Sequence, residues 1–193
     1  MSWPKPTFSK NQVNKAGQIL VEGRPDLERL WWAAEVLNNW RSCPGYPINT
    51  FQSTLREKIK LVDPEALVAQ RLKRTPSIIS KLKRFDSMEL ARMQDIGGLR
   101  AVVSSLRKAR DLEQNYRNSS FKHELVGQRD YIARPSPSGY RSIHLIYRYG
   151  NDRAPDYNGL LIELQIRTRL QHASATGDGD RGFAIADARV DLI

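Results

Sequence analysis

Two carboxylates stand where this sequence otherwise reads as apolar strand. Glu163 lies within Leu160-Leu161-Ile162-Glu163-Leu164-Gln165-Ile166. Period-two alternation puts Glu163 and Gln165 on one face and Ile162, Leu164 and Ile166 on the other. An acid in such a run must be paired, bind a metal or face water, because burying its charge alone is costly. Asp95 opens Asp95-Ile96-Gly97-Gly98-Leu99-Arg100, just ahead of a second apolar run. There it could be held rigidly over a sheet, or it could merely cap a turn. Magnesium is commonly held by one or two carboxylates plus phosphate oxygens. Asp95 and Glu163 together therefore make a candidate magnesium pair, with an open solvent face as the plain alternative for Glu163.

Cations are concentrated upstream. Arg71 to Arg84 holds six cationic residues in fourteen positions: Arg71, Lys73, Arg74, Lys81, Lys83 and Arg84. Thr75-Pro76-Ser77 reads as a helix start, which sets Lys81 and Arg84 one turn apart on one helix. Arginine forks and lysine point charges suit a triphosphate, although composition alone favours a solvated basic face. A third group is Arg129-Asp130-Tyr131-Ile132-Ala133 followed by Gly139-Tyr140-Arg141-Ser142-Ile143-His144. The prolines at 135 and 137 and Gly139 make the intervening stretch a loop. Tyr140 at its exit is free to stack on a base, and Arg141 and His144 could reach phosphate or sugar. By itself this group is equally a tyrosine and a histidine packed at a strand edge.

The elements that must position these residues read as helices first and a small mixed sheet after. Lys10 to about Glu22 has a helical apolar face, ended by Gly23. Asp26 caps a second helix over 27–41, which carries Trp31, Trp32 and Trp40, residues expected to pack in the core rather than to stack on RNA. Pro44-Gly45 and Pro47 break the chain, Asn49 or Thr50 caps a third helix through Ile59, and a fourth runs from Pro64 through Gln70. Strands follow at Leu99–Val103, Ile143–Tyr149 and Leu160–Ile166, with a crossover helix over Lys108–Arg117. The fold class is α+β.

Thirty-one Lys and Arg against 21 Asp and Glu leave a charge of +10, which favours anionic partners such as nucleotides or RNA. The single cysteine, Cys43, excludes an internal disulfide and reads as an ordinary loop thiol. No His/Cys cluster suggests structural zinc. No apolar run is long enough for a membrane span, and MSWPKPTFSK lacks the core of a signal peptide, so a cytoplasmic location is expected.

Four groups in order resemble the RelA/SpoT-type synthetase family over roughly residues 45 to 172. They are Arg71-Leu72-Lys73 with Ser77-Ile78 and Lys81-Leu82; Asp95 to Arg100; Asp130 to Ala133 with Gly139 to His144; and Glu163-Leu164-Gln165-Ile166-Arg167-Thr168. The resemblance implies a nucleotidyltransferase-like mixed sheet flanked by helices. It implies Mg2+ on Asp95 and Glu163, and ATP phosphates on Arg71, Lys73, Ser77, Lys81 and Arg84. Tyr140 would stack on the acceptor base, with Arg129, Arg141, His144, Gln165 and Arg167 nearby and His144 among the catalytic residues. In that family the 3′-hydroxyl of GDP or GTP attacks the β-phosphorus of ATP and AMP leaves. Positioning and charge neutralisation are what such a transfer needs.

Two positions depart from the family. Pro135-Ser136 replaces its usual Pro-Lys, and Arg129 replaces the preceding lysine. The family's long-form hydrolase domain has no counterpart in this sequence, which therefore looks like a small, single-domain synthetase. Toxic small relatives that act on adenosine nucleotides or on the 3′ end of tRNA are an alternative, with an antitoxin partner; a catalytically dead basic module is another. Homo-oligomerisation is an open expectation. The domain organisation reads as a helical lead-in over 1–44, the synthetase-like domain over 45–172 and an atypical tail over 173–193. In that tail Gly177-Asp178-Gly179-Asp180 is poor helix material. One added guanine in an Ala-Thr-Ala-Met-Glu-Thr-Val-Gly codon run would produce 175–182, so the tail is expected to be a frameshift product.

Overall fold

The protein is represented by a computed structural model, which describes residues 2–176 and 184–185. The lead-in is a helical pair. α1 (Lys10–Ile19) begins at a capping box in which Ser9 and Gln12 satisfy each other's backbone donors. α2 (Leu27–Ser42) is capped by the Asp26 side chain on Arg29 N. α3 (Gly45–Val62) starts earlier than the Asn49 or Thr50 cap expected from sequence. Pro47 falls in its first turn, where a missing N–H costs nothing, so it does not break the helix.

The expected helix from Pro64 is instead β1 (Leu67–Leu72). Next come α4 (Thr75–Arg84), β2 (Gly97–Val103), α5 (Leu106–Arg117), β3 (Glu124–Asp130), β4 (Ile143–Arg148), β5 (Leu161–Thr168), α6 (Arg169–Thr176) and a two-residue β6 (Ala184–Ile185). The strands form one mixed sheet in the order β3-β4-β5-β2-β1-β6. Only β2 and β5 pair in parallel; the other described pairs are antiparallel.

One sheet face is the core. Leu99, Ala101 and Val103 of β2, Ile143 and Leu145 of β4, and Ile162, Leu164 and Ile166 of β5 are fully buried there with Phe51 and Leu55 of α3. Gly97 allows α3 to approach: a Cβ at that position would lie 2.5 Å from Pro44 Cβ. Trp40 is buried, but Trp31 is 76% exposed, so the expectation of a core role fails for that residue. Cys43 is a buried thiol at the C-cap of α2, pushed up to about 11 by burial, rather than a loop cysteine. Among the described residues no helix is long and apolar enough to cross a membrane. α6 continues four residues into the segment expected to be atypical, from Ala173 through Thr176; the rest of that segment, apart from Ala184 and Ile185, lies outside the described residues, and the frameshift expectation with it.

Candidate functional site

The second sheet face carries the polar residues, and strand register decides which of them meet. β2 and β5 pair Gly98 with Glu163 and Arg100 with Gln165. β4 brings His144 opposite Gln165, β3 brings Arg129 opposite His144, and β1 brings Arg71 opposite Gly98. Paired residues share a face, so Arg129, His144, Gln165 and Arg100 form one row and Glu163, Gly98 and Arg71 form the next. Gly98 contributes no side chain, and a Cβ built there would meet only the Glu163 carbonyl oxygen, at 3.4 Å, so there is space on this face beside Glu163.

Glu163 is buried, with both oxygens engaged. His144 Nδ1 stands 2.8 Å from Oε1, and Gln165 Nε2 donates to Oε2 at 2.9 Å. Gln165 Oε1 in turn accepts from Arg100 Nε and Nη2 at 3.2 and 2.9 Å. Burial pushes the Glu163 carboxyl up, but its interactions with His144, and the hydrogen bond from Gln165, outweigh burial and hold the group below the usual carboxylate range. Tyr140 Oη lies 2.9 Å from His144 Nε2, and its ring meets His144 and Tyr131 edge-on. Burial raises the Tyr140 hydroxyl above its ordinary value. Arg167, further along the same face of β5, is fully buried and contacts His172 Nδ1 at 2.5 Å.

Asp95 precedes β2 and lies beneath the cationic segment. Lys73 Nζ reaches its Oδ2 at 2.7 Å and Lys81 Nζ its Oδ1 at 2.9 Å. Burial would raise this carboxyl, yet the two ammonium charges bring it down to about 2. Lys73 is fixed from both sides, its N–H donating to Ile96 O at 2.7 Å and its carbonyl accepting from Arg41 Nε at 2.6 Å. The charge on Asp95 works against ionisation of Glu163, so the two acids share one field. Both are ionised hard-oxygen donors, which suits a magnesium ion. Among the described residues no group of three or more His, Cys, Asp or Glu could hold a metal ion.

Two cavities adjoin this face. The larger, of about 820 Å3, brings Arg71, Lys73 and Ser77 together with Tyr140 and Arg141. The smaller, of about 450 Å3, is lined by Lys73, Ser77, Lys81, Arg84 and Asp95. They share Lys73 and Ser77. The larger size suits a nucleotide-sized ligand. Arg129 stays at the exposed sheet edge, its Nη2 3.4 Å from Gln94 Oε1, and Ser136 bonds to Ser138 within the loop.

The loop that ends at Tyr140 is anchored by Asp130. Its Oδ1 accepts from the N–H groups of Ile132 and Ala133 at 3.0 Å each, and its Oδ2 meets Arg110 Nη1 at 2.8 Å. The same Arg110 nitrogen also bonds Glu113 at 2.8 Å. Sequence reasoning gave Arg100 and Arg110 no role. The signal for Arg100 was its place in an otherwise apolar strand, two residues beyond Gly98, on the face that Glu163 occupies.

Residues 70–180 match the family described as the region found in RelA and SpoT proteins. The chain is 35% identical over 116 residues to the GTP pyrophosphokinase YjbM of Bacillus subtilis, covering 58% of this chain and 54% of that protein. It is 30% identical over 132 residues to the Bacillus subtilis GTP pyrophosphokinase YwaC, covering 63% of this chain and 61% of the relative. The matched segments thus span little more than half the length of these relatives. Among solved structures, small alarmone synthetase 1 from Bacillus subtilis bound to its product pppGpp superimposes with a TM-score of 0.62 at 28% identity, over 77% of each chain. A GTP pyrophosphokinase family protein from Streptococcus pneumoniae gives 0.62 at 27% identity, over 79% of this chain and 75% of that one.

Proposed function

The chain belongs to the RelA/SpoT family, and from that premise we propose that it transfers pyrophosphate from ATP to the 3′-hydroxyl of GDP or GTP, in the cytoplasm. The carrying observation is the acid pair, Asp95 and Glu163, set between the cations Arg71, Lys73 and Lys81 on one side and Tyr140 with His144 on the other. Arg71, Lys73, Ser77, Lys81 and Arg84 take up the charge of the ATP phosphates. Tyr140 receives the acceptor base by stacking, with Arg141, Gln165 and Arg167 around it. Mg2+, when bound, would be held by Asp95 and Glu163 and would neutralise charge on the transferred group.

The acceptor's 3′ oxygen forms a bond to the β-phosphorus while the bond from that phosphorus to the α-β bridging oxygen breaks, and AMP departs with the bridging oxygen. The hydroxyl proton goes to the His144–Glu163 pair. An ionised Glu163 can only accept, so His144 Nδ1 donates to it and Nε2 keeps its lone pair for that proton. In the resting site this lone pair faces the Tyr140 hydroxyl.

The departures at Arg129 and Ser136 favour a second reading of the acceptor, an adenosine nucleotide or a tRNA 3′ end. The +10 charge is consistent with it. One experiment separates the readings: ATP labelled in its γ-phosphate is offered with Mg2+ and GDP, GTP, ADP or tRNA, and the products are resolved. Label moving to GDP or GTP with one AMP formed per transfer supports the first reading. Label moving only to ADP or tRNA supports the second. No AMP with any acceptor defeats both and leaves a basic binding module.

A further inference from the structure

The two acids of the site are already fully engaged by protein groups. Each Asp95 oxygen faces its own ammonium, Lys73 at 2.7 Å and Lys81 at 2.9 Å. Each Glu163 oxygen has its own partner, His144 at 2.8 Å and Gln165 at 2.9 Å. Lys73 and Asp95 side chains are only 12% and 16% exposed, so water screens this charge cluster weakly. A bare divalent cation approaching Asp95 would meet two positive charges within contact distance and would have to displace them with nothing to receive them. A polyphosphate changes that balance, because Lys73 lines both cavities and Lys81 one of them, so phosphate oxygens in those cavities can accept the ammonium groups.

We propose that Lys73 and Lys81 are internal counter-cations of Asp95, which keep free divalent metal out and admit it only in company with a polyphosphate. Asp95 exchanges its lysines for the metal when the phosphates take the lysines over. The assignment rests on the reading of Asp95 and Glu163 as the cation pair, and it adds the order in which that pair is filled.

The test uses Mn2+ as probe, followed by electron paramagnetic resonance of the free ion, on the intact protein. Wild type should bind Mn2+ weakly alone and tightly with the α,β-methylene analogue of ATP. Lys81→Met and Lys73→Met should each tighten binding of Mn2+ alone by about ten-fold or more, through loss of one nearby positive charge. Lys81→Arg should leave it as in wild type, and adding Asp95→Asn to Lys81→Met should abolish the gain. If Lys73→Met does not fold, the more exposed Lys81 carries the comparison. Wild type binding Mn2+ alone as tightly as with the analogue, or Lys81→Met leaving Mn2+ affinity unchanged while lowering stability, would overturn the proposal, since the lysines would then be structural ion pairs. No catalysis enters the readout. A chain that transfers no pyrophosphate but gains Mn2+ affinity in Lys81→Met would keep the counter-cation role and lose the proposed activity.

Discussion

His144 and Glu163 meet diagonally across neighbouring strands. In register His144 pairs with Gln165, yet its Nδ1 bonds Glu163 Oε1 at 2.8 Å, two residues along β5. The histidine is thereby carried by β4 and oriented by an acid of β5, with Nε2 turned toward the loop that ends in Tyr140.

Glu163→Gln tests this directly. The amide keeps the shape and can still bond Gln165, but it carries no charge to orient His144. The variant should fold, with an unfolding midpoint close to wild type, and pyrophosphate transfer should fall by about 100-fold or more. Transfer within a few-fold of wild type would remove Glu163 from the chemistry.

Asp95 gives a pH signature. Its carboxyl titrates at about 2 in the folded chain against 3.8 without its partners, because the two lysines outweigh burial. Between those values the unfolded state binds more protons, so stability rises with pH. The contribution is complete above pH 3.8 and is lost as pH falls through 2; it amounts to about 2 kcal/mol. Denaturant unfolding from pH 5 down to 2 should show wild type losing this increment and Asp95→Asn lacking it. A wild-type advantage that persists unchanged at pH 2 would contradict the ion-pair assignment.

Tyr140 separates ring from hydroxyl. Tyr140→Ala should raise the KM for the acceptor by one to two decades, since stacking on one base is worth about 1–3 kcal/mol, and leave the KM for ATP nearly unchanged. Tyr140→Phe removes the hydroxyl, with its 2.9 Å contact to His144, but keeps the ring, and should retain most acceptor affinity. A rise in the ATP KM with the acceptor KM intact would mean that the two substrate sites are assigned the wrong way round.

The paired glycines make opposite predictions. Gly97→Ala forces a methyl against Pro44, Ile48 and Ile162 at 2.5, 3.1 and 3.3 Å and should destabilise by about 1–3 kcal/mol. At Gly98 the nearest atom to an added Cβ is Glu163 O, at 3.4 Å. Gly98→Ala should therefore fold normally but lose transfer, because its methyl covers the face beside Glu163. Thermal melts and the transfer assay distinguish the two; equal stability losses would contradict the facing deduced from register.

Much of this site could be read from local pattern. The alternation around Glu163 placed it and Gln165 on one face, and Thr75-Pro76-Ser77 marked the start of α4 because capping and proline chemistry are local. The misses have non-local causes. Leu67–Leu72 contains good helix formers, and only pairing with β2 makes it a strand. Nothing in Glu124–Asp130 alternates cleanly, since β3 is a partly exposed edge with an irregularity between Leu125 and Gly127. The exposure of Trp31 and the burial of Arg100 depend on which faces other elements cover, which spacing along one segment does not reveal.

The position of β5 in the sheet has a consequence for how activity arises. β1 with β2 and β3 with β4 are each adjacent in the chain and can pair locally, whereas β5 lies between the two pairs and is, among the described residues, the last long strand made. It welds two halves that otherwise share no strand contact, and the acid pair straddles that seam. A partly opened molecule that has withdrawn only β5 keeps most of its secondary structure and has no site at all. Hydrogen exchange in β5 should therefore track the loss of nucleotide binding, while the β3–β4 pair stays protected.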